Sequence, residues 1–294
     1  MNKFIFLIIC FCSACFAGPT VVVVGGGPAG LAAAIEAQMA GADVTVVEKR
    51  DKYERARWIF LTEYTLQLFE KWGLSKEVGI KRFIPINAME EALDKRREEL
   101  GIKKIYATFT ELTDFPYDIL IGADGSHSQV RNMLGISTKT LGTATGILAA
   151  KQNNSEKAFT LTDYPSNDGY FLRQIDVPGK SIVFLQSSTK KISLDVLKQK
   201  TSIEDPFFVV VDIQLQQAQT FSNKEKSAII IGDAAAVGSF YQGTGANNAF
   251  KTAEIAGNFL KNLSYEEFNE AMQKNTDELI QDNLFLFKDC AEKS

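Results

Sequence analysis

Three groups of residues in this chain have types and spacings suited to holding a phosphorylated nucleotide. The first is Gly25-Gly26-Gly27-Pro28-Ala29-Gly30, a G-x-G-x-x-G. Gly25 permits a tight turn after a strand, Gly27 lets the backbone approach a pyrophosphate, and Gly30 lets the next helix pack close to a sheet. The N-terminus of a helix after this turn, which includes Pro28 and Ala29, would present free N–H groups and a positive dipole end to phosphates. Such a hexapeptide is weak by itself. Here it follows a β-branched run and precedes an Ala-rich one, and Glu48 stands 18 residues beyond Gly30 at the end of the next strand, suited to accept from ribose hydroxyls.

The second group runs from Asp118 to Arg131 and contains Asp124-Gly125 after the apolar Ile119-Leu120-Ile121-Gly122. Taken alone it fits any strand-to-helix turn. The third is Ile229-Ile230-Ile231-Gly232-Asp233, followed by Gly243-Thr244-Gly245-Ala246-Asn247. Asp233 falls at a strand's C-terminal end, where open α/β sheets gather ligand groups. Gly243 and Gly245 allow backbone to lie against a flat ring, and the helix beginning at Ala246 and Asn247 would aim its N–H groups at the ring's electron-rich edge.

These residues need a scaffold, and the pattern predicts one. Thr20–Val24 reads as a buried parallel strand, Leu31–Met39 as a helix ended by Gly41, and Asp43–Glu48 as a second strand, together a βαβ unit. Residues 62–72 and 87–100 read as helices, and Ile102–Glu111 and Asp118–Gly122 as strands. From Thr138 to Ser227 the chain changes to short alternating runs punctuated by Asn, Asp, Pro and Gly, an antiparallel sheet inserted into the nucleotide-binding fold. Ala228–Ile231 resumes a buried strand, and the chain is helical from Ala246, with an amphipathic stretch over Tyr265–Phe287. The fold class is therefore α/β: a doubly wound domain (18–137 and 228–294, with C-terminal helices) interrupted by a small β-sheet substrate domain (138–227).

The net charge of −4 gives no basic footprint for nucleic acid. The single histidine, His127, argues against a His-based metal cluster and reads as a solvated turn residue. Residues 1–17 have a signal-peptide pattern: Lys3, an apolar stretch from Phe4 to Cys12, then the small residues Ser13, Ala14 and Ala17. Export is the expectation, with an N-terminal anchor at residues 4–17 or a cytoplasmic location as alternatives. No stable membrane span is expected after removal of the leader. Cys10, Cys12 and Cys15 all lie in the leader, so Cys290 would be the sole remaining thiol.

The order of the three motifs resembles the class A flavoprotein monooxygenases, which share the fold of para-hydroxybenzoate hydroxylase. The stretch Glu48-Lys49-Arg50-Asp51, with Arg55 just after, resembles the monooxygenase domain of the MICAL proteins. The resemblance implies that the G-x-G-x-x-G and Glu48 hold the ADP part of FAD and that Arg55 is directed at the pyrophosphate. It further implies that Asp124 and its glycine serve FAD and NAD(P)H, and that Asp233 holds the ribitol. The implied function is NAD(P)H- and O₂-dependent hydroxylation of a small molecule, aromatic compounds being the favoured class. Another flavin reductase or oxidase on the same fold, or a non-catalytic FAD-binding protein, remains as an alternative. Departures from the family pattern motivate the alternatives. Ala236 stands where a His is common, Phe240-Tyr241 where a Pro is common, and residues 101–118 are too few for the usual β-hairpin. Tyr164, Tyr170 and Arg173 fall in the substrate sheet, where core or surface roles compete with pocket lining, and Trp58 and Trp72 read as packing residues.

Overall fold

A computed structural model describes residues 18–53, 58–74, 82–153, 160–164, 168–201, 206–241 and 243–287. The leader at 1–17, Arg55 and all four cysteines lie outside the described residues. The chain opens with β1 (Thr20–Val24), α1 (Pro28–Met39) and β2 (Asp43–Glu48). A ribbon of β3 (Trp58–Phe60) and β4 (Phe83–Pro85) flanks α2 (Glu63–Lys71), then come α3 (Ile86–Glu99), β5 (Lys103–Tyr106), β6 (Ile119–Gly122) and α4 (Gln129–Met133). The middle holds β7 (Thr138–Gln152), β8 (Thr160–Tyr164), β9 (Phe171–Val177), β10 (Lys180–Ser187), α5 (Leu194–Thr201) and β11 (Phe207–Ala218). The chain closes with β12 (Ser222–Asn223), β13 (Ala228–Ile230), β14 (Ala236–Val237), α6 (Thr244–Asn262) and α7 (Tyr265–Leu284).

The first sheet has the order β12-β13-β6-β1-β2-β5, parallel throughout except at the β12 edge. The four valines of β1 are buried, as expected of a central parallel strand covered on both faces. The Ala-rich stretch of α1 lets that helix sit close to the sheet and to α3 and α6; Ala32, Ala33, Ala34 and Ala37 have no exposed surface. Where α1 crosses α6, Gly257 lies against Glu36: a Cβ at Gly257 would stand 2.7 Å from both Cβ and Oε2 of Glu36. Glu36 is fully buried and accepts from Trp72 Nε1 (2.7 Å) and Lys71 Nζ (2.5 Å). Trp72 is thus a packing residue that also brings a proton to a buried carboxylate.

The second sheet has the order β14-β11-β7-β10-β9-β8 and is antiparallel. One face buries Ile147, Leu172, Val183 and Leu185 under Leu197 of α5. The other packs Ile175, Val177 and Ile182 near Trp58 and Phe83, which stack at 5.1 Å across the β3–β4 ribbon. The chain alternates between the sheets after β11. β12 and β13 belong to the first sheet, β14 returns to the second, and α6 packs on the first again.

Three local expectations are corrected. The strand expected over Ile102–Glu111 ends at Tyr106, because the Asp114 carboxylate accepts from the amides of Thr110 (2.6 Å) and Glu111 (3.1 Å) and bends the chain into a turn. The region expected to be an antiparallel sheet also contains a helix, α5; only Leu197 on it is buried, too little periodicity to show in sequence. The helix following the first glycine turn begins at Pro28 rather than Leu31, since proline suits the first helical position. Among the described residues, no helix is long and apolar enough to cross a membrane, and no group of three or more His, Cys, Asp or Glu residues could hold a metal ion.

The α1–α6 crossing gives a test in which two effects oppose. Gly257→Ala gains about 1 kcal/mol of helix propensity. It also overpacks a contact against a carboxylate pinned by Trp72 and Lys71, for which about 1–3 kcal/mol is usual. We expect a net loss of stability, read as a lower denaturant midpoint with unchanged slope. A midpoint at or above wild type would show that the crossing yields freely.

Candidate functional site

The three sequence motifs meet at the C-terminal ends of β1, β6 and β13, which are adjacent in the first sheet. Their contact is backbone against backbone. Gly25 adopts φ +107°, and a Cβ there would lie 2.4 Å from the Ala123 carbonyl oxygen. Gly30 approaches the same turn, with a hypothetical Cβ 1.8 Å from the Gly25 carbonyl oxygen. Gly232 adopts φ +58°, and a Cβ there would lie 2.7 Å from the Ala29 Cβ. The fold therefore brings together residues up to about two hundred positions apart.

Gly27 differs from these neighbours. A Cβ there would meet nothing within 4 Å, although Gly25, Gly26 and Gly30 are all crowded. It is also the N-cap of α1, which has no acidic residue in its first turn and no side-chain cap. The amides of Ala29 and Gly30 lack intrahelical partners by helix geometry, while Leu31 N already bonds the Gly27 carbonyl (3.0 Å). An open hollow over amide donors at a positive dipole end is the geometry a pyrophosphate requires.

Glu48 is buried beside this turn. Its Oε2 accepts from Gly26 N (2.5 Å) and its Oε1 from Arg50 N (2.8 Å), so the carboxylate braces the glycine turn. Each oxygen keeps a second lone pair for a ribose hydroxyl. Lys49 is exposed just beyond it. Asp124 is committed to α4, accepting from Ser128 Oγ (2.5 Å) and the amides of Gln129 (2.7 Å) and Val130 (3.2 Å). His127 is exposed, with Nδ1 3.2 Å from Ser126 Oγ.

Asp233 is exposed between buried Gly232 and Ala234, and its carboxylate lies near the start of α6: a Cβ at Gly245 would be 3.9 Å from its Oδ1. Gly243 is the N-cap of α6 at φ +64° and brings no capping side chain. Its amide bonds the Phe240 carbonyl (3.2 Å), which leaves Thr244, Gly245 and Ala246 as the amides without intrahelical partners. The Asn247 side chain is taken up by the frame. Its Oδ1 accepts from Thr62 N (3.0 Å) and Thr65 Oγ1 (2.6 Å), and its Nδ2 donates to the Phe60 carbonyl (2.8 Å). It tethers α6 to the start of α2 and holds the helix end in place.

Two further residues complete the arrangement, and neither announced its role in sequence. Buried Arg131 donates to the carbonyls of Ala234 (2.9 Å) and Ser126 (2.9 Å), stapling the second motif to the third. Burial lowers its pKa and nearby Asp124 opposes the shift. Its place at the end of the quoted Asp118–Arg131 run was the only available signal. Tyr241, buried after β14, has its pKa pushed up to about 12 by burial and by the adjacent Asp163 carboxylate, so it is a phenol at neutral pH. Of the sheet residues, Tyr164 hydrogen-bonds Gln174 and Tyr170 the Lys191 carbonyl, while Arg173 reaches Tyr241.

A family model described as FAD binding domain matches residues 19–119. Among curated proteins, the chain is 24% identical over 268 residues to the [F-actin]-monooxygenase mical2b of Danio rerio, covering 75% of this chain and 16% of that protein. The chain thus spans under a fifth of the length of that relative. Among solved structures, BexE, studied for oxidation during BE-7585A biosynthesis, aligns with TM-score 0.75 at 19% identity over 93% of this chain and 71% of its own. The flavin-dependent halogenase CmlS aligns with TM-score 0.72 at 16% identity, over 91% and 62%. The fold is shared with flavin-dependent enzymes such as the halogenase CmlS, and residues 19–119 match the family model of an FAD binding domain.

The crowding pattern separates ligand glycines from packing glycines. Gly27→Val should leave the denaturant midpoint near wild type and abolish retention of FAD, because its side chain fills only the hollow. Gly30→Val should fail to fold, since its side chain starts inside the Gly25 carbonyl. Retained flavin in Gly27→Val would place the pyrophosphate elsewhere. For Glu48→Ala, loss of a hydrogen bond to a charged group, about 1.5–3 kcal/mol, predicts FAD weakened by roughly tenfold or more by titration.

Proposed function

We propose, on the premise that residues 19–119 are an FAD-binding domain, that this chain is an FAD-dependent monooxygenase that hydroxylates a small aromatic molecule with O₂ and electrons from NAD(P)H. The observation that carries the reading is the meeting of three loops, each about a hundred residues from the next in the chain, at the C-terminal ends of adjacent parallel strands, with open space only at Gly27 among the glycines of the first turn. The residues fit the cofactor. Ala29 and Gly30 amides would hold its pyrophosphate, Glu48 a ribose, Asp233 the ribitol, and the amides of Thr244, Gly245 and Ala246 the ring. Bound FAD would supply the electron transfer and the activation of O₂, and the protein binds it, orients it and limits water.

Substrate class is argued from the second sheet. A shallow cleft beside the Phe240-Tyr241 loop is lined by Leu148, Phe184, Gln186, Ile213, Phe240 and Tyr241, among others, and no charged residue lines it. The free space there, about 10 Å³, is that of a single water, so a flat neutral ring would enter only if the Phe240-Tyr241 loop moved aside. Amide donors at the start of α6 favour negative charge on the reduced ring, as preorganised N–H groups do wherever charge develops. A specific observation favours the second reading, a non-catalytic or non-hydroxylating flavoprotein: both Glu48 oxygens and the whole Asn247 side chain already have protein partners. The leader pattern at residues 1–17 makes export part of the proposal, and NAD(P)H is scarce outside the cytoplasm. The electron donor is therefore the first variable to test.

The purified chain should carry the two absorbance bands of oxidised flavin, and NADH or NADPH should be oxidised faster when the correct aromatic compound is present, with oxygen recovered in product. Peroxide without product would identify an oxidase, and flavin reduced by dithionite but by neither nicotinamide would identify the non-catalytic alternative. Asp233→Ala should lose flavin by roughly tenfold or more, the equivalent of the hydrogen bonds its carboxylate would make. Full flavin occupancy with reduced thermal stability would assign Asp233 to the fold.

A further inference from the structure

Arg173 and Asp163 face each other across β9 and β8 in register. They form a bidentate pair, Arg173 Nε to Asp163 Oδ1 at 2.6 Å and Nη2 to Oδ2 at 2.8 Å. An ion pair at a sheet margin would ordinarily contribute little. This one reaches out of its sheet. Arg173 Nη1 donates to the main-chain carbonyl of Tyr241 (2.6 Å), and the guanidinium lies 4.5 Å from the centre of the Tyr241 ring. The Tyr241 hydroxyl donates back to Asp163 Oδ1 (3.0 Å). Phe171 of β9 meets the same ring edge-on at 6.1 Å. From below, Tyr241 N donates to Ser239 Oγ (3.1 Å), and Ser239 N to Asn283 of α7 (2.9 Å).

Tyr241 stands two residues before Gly243, the left-handed N-cap from which α6 departs. Holding the carbonyl of residue 241 restrains the chain's approach to that turn, and so the placement of the Thr244, Gly245 and Ala246 amides that follow it. A planar guanidinium with two parallel bonds to a carboxylate is held in one orientation, which a lysine cannot match.

We propose that Arg173, held by Asp163 and Tyr241, is a positioning residue by which the second sheet sets the amide donors at the start of α6 against the flavin ring and so tunes the ring's affinity for electrons. The proposal rests on the reading that FAD binds with its ring at the start of α6. The cofactor's pyrophosphate and ribose grips lie on the first sheet and do not depend on this cluster. Arg173 therefore acts on the reduced form more than on retention of the cofactor.

The test uses the full chain and four variants: Arg173→Ala, Arg173→Lys, Asp163→Asn and Tyr241→Phe. Flavin content, the fine structure of the visible flavin band and the two-electron reduction potential are measured on each. We expect near wild-type flavin content in all four. In Arg173→Ala and Asp163→Asn the band shape should change, and reduced flavin should bind about tenfold more weakly relative to oxidised, about 30 mV for a two-electron couple. Tyr241→Phe keeps the carbonyl contact and removes only the hydroxyl, so it should shift in the same direction by less; it also keeps the test sound should Arg173→Ala fold poorly. Arg173→Lys should not restore the wild-type potential. Wild-type potential and band shape in Asp163→Asn and Tyr241→Phe would overturn the positioning role while leaving FAD binding intact. A wild-type chain that holds no flavin would overturn the functional reading itself, and this proposal with it.

Discussion

The structure depends on a steric constraint at one sheet edge: the Gly25 carbonyl oxygen occupies the space in which a side chain at Gly30 would begin. That approach seats α1 on the sheet with its N-terminus aimed at the hollow over Gly27. It also presses the first turn against Ala123, and Ala29 against Gly232, so three chain reversals share one small volume. A methyl group at any of these contacts would push apart segments that have no flexible side chain to yield. The space beside Gly27 stays open while the glycines next to it are packed against main chain and side chains.

Around this edge, polar side chains act as tethers between distant segments. Asn247 joins α6 to the start of α2, Arg131 joins the loop after β6 to the loop after β13, and Thr252 Oγ1 accepts from Gly232 N at 3.0 Å. Each is buried or nearly so, and each satisfies backbone groups that loops at a sheet end would otherwise leave bare. They hold the start of α6 and the loops beside it at the candidate site. The second sheet adds its own tether at Tyr241, so the α6 end of the candidate site is framed by both sheets while the Gly27 end is framed by one.

What could be read in the sequence follows from the range of the interactions concerned. The βαβ unit was legible because its strands are continuous apolar runs and its helix is a run of alanines, and the glycine spacing is a local requirement of the turn. The parallel sheet and the separate antiparallel sheet were legible for the same reason, a change in period near Thr138. The end of β5 was not, because a single carboxylate at Asp114 decides it. The tethers were hidden more deeply. Asn247 sits in a motif that points to ligand contact, and nothing near it in sequence names Phe60, Thr62 and Thr65 as its partners. In sequence, Arg173 is only a residue of the substrate sheet, where pocket lining competes with core or surface roles; the carbonyl it bonds lies 68 residues away.

The alternation of the chain between sheets has a consequence in time. β1, α1, β2 and β6 are complete before any of the second sheet is made, yet β13, which must pair with β6, follows it. At about 5–20 residues per second of synthesis, the stretch between β6 and β13 takes on the order of 5–20 s to emerge. For that interval the outer side of β6 is an open parallel edge of Ile119–Gly122, apolar and without its neighbour. The ring end of the candidate pocket cannot exist until the last quarter of the chain has arrived. A cofactor that binds only the finished arrangement then acts as the closing weight in folding: it draws the chain forward by mass action once β13 and α6 have docked, and has no hold on any earlier intermediate.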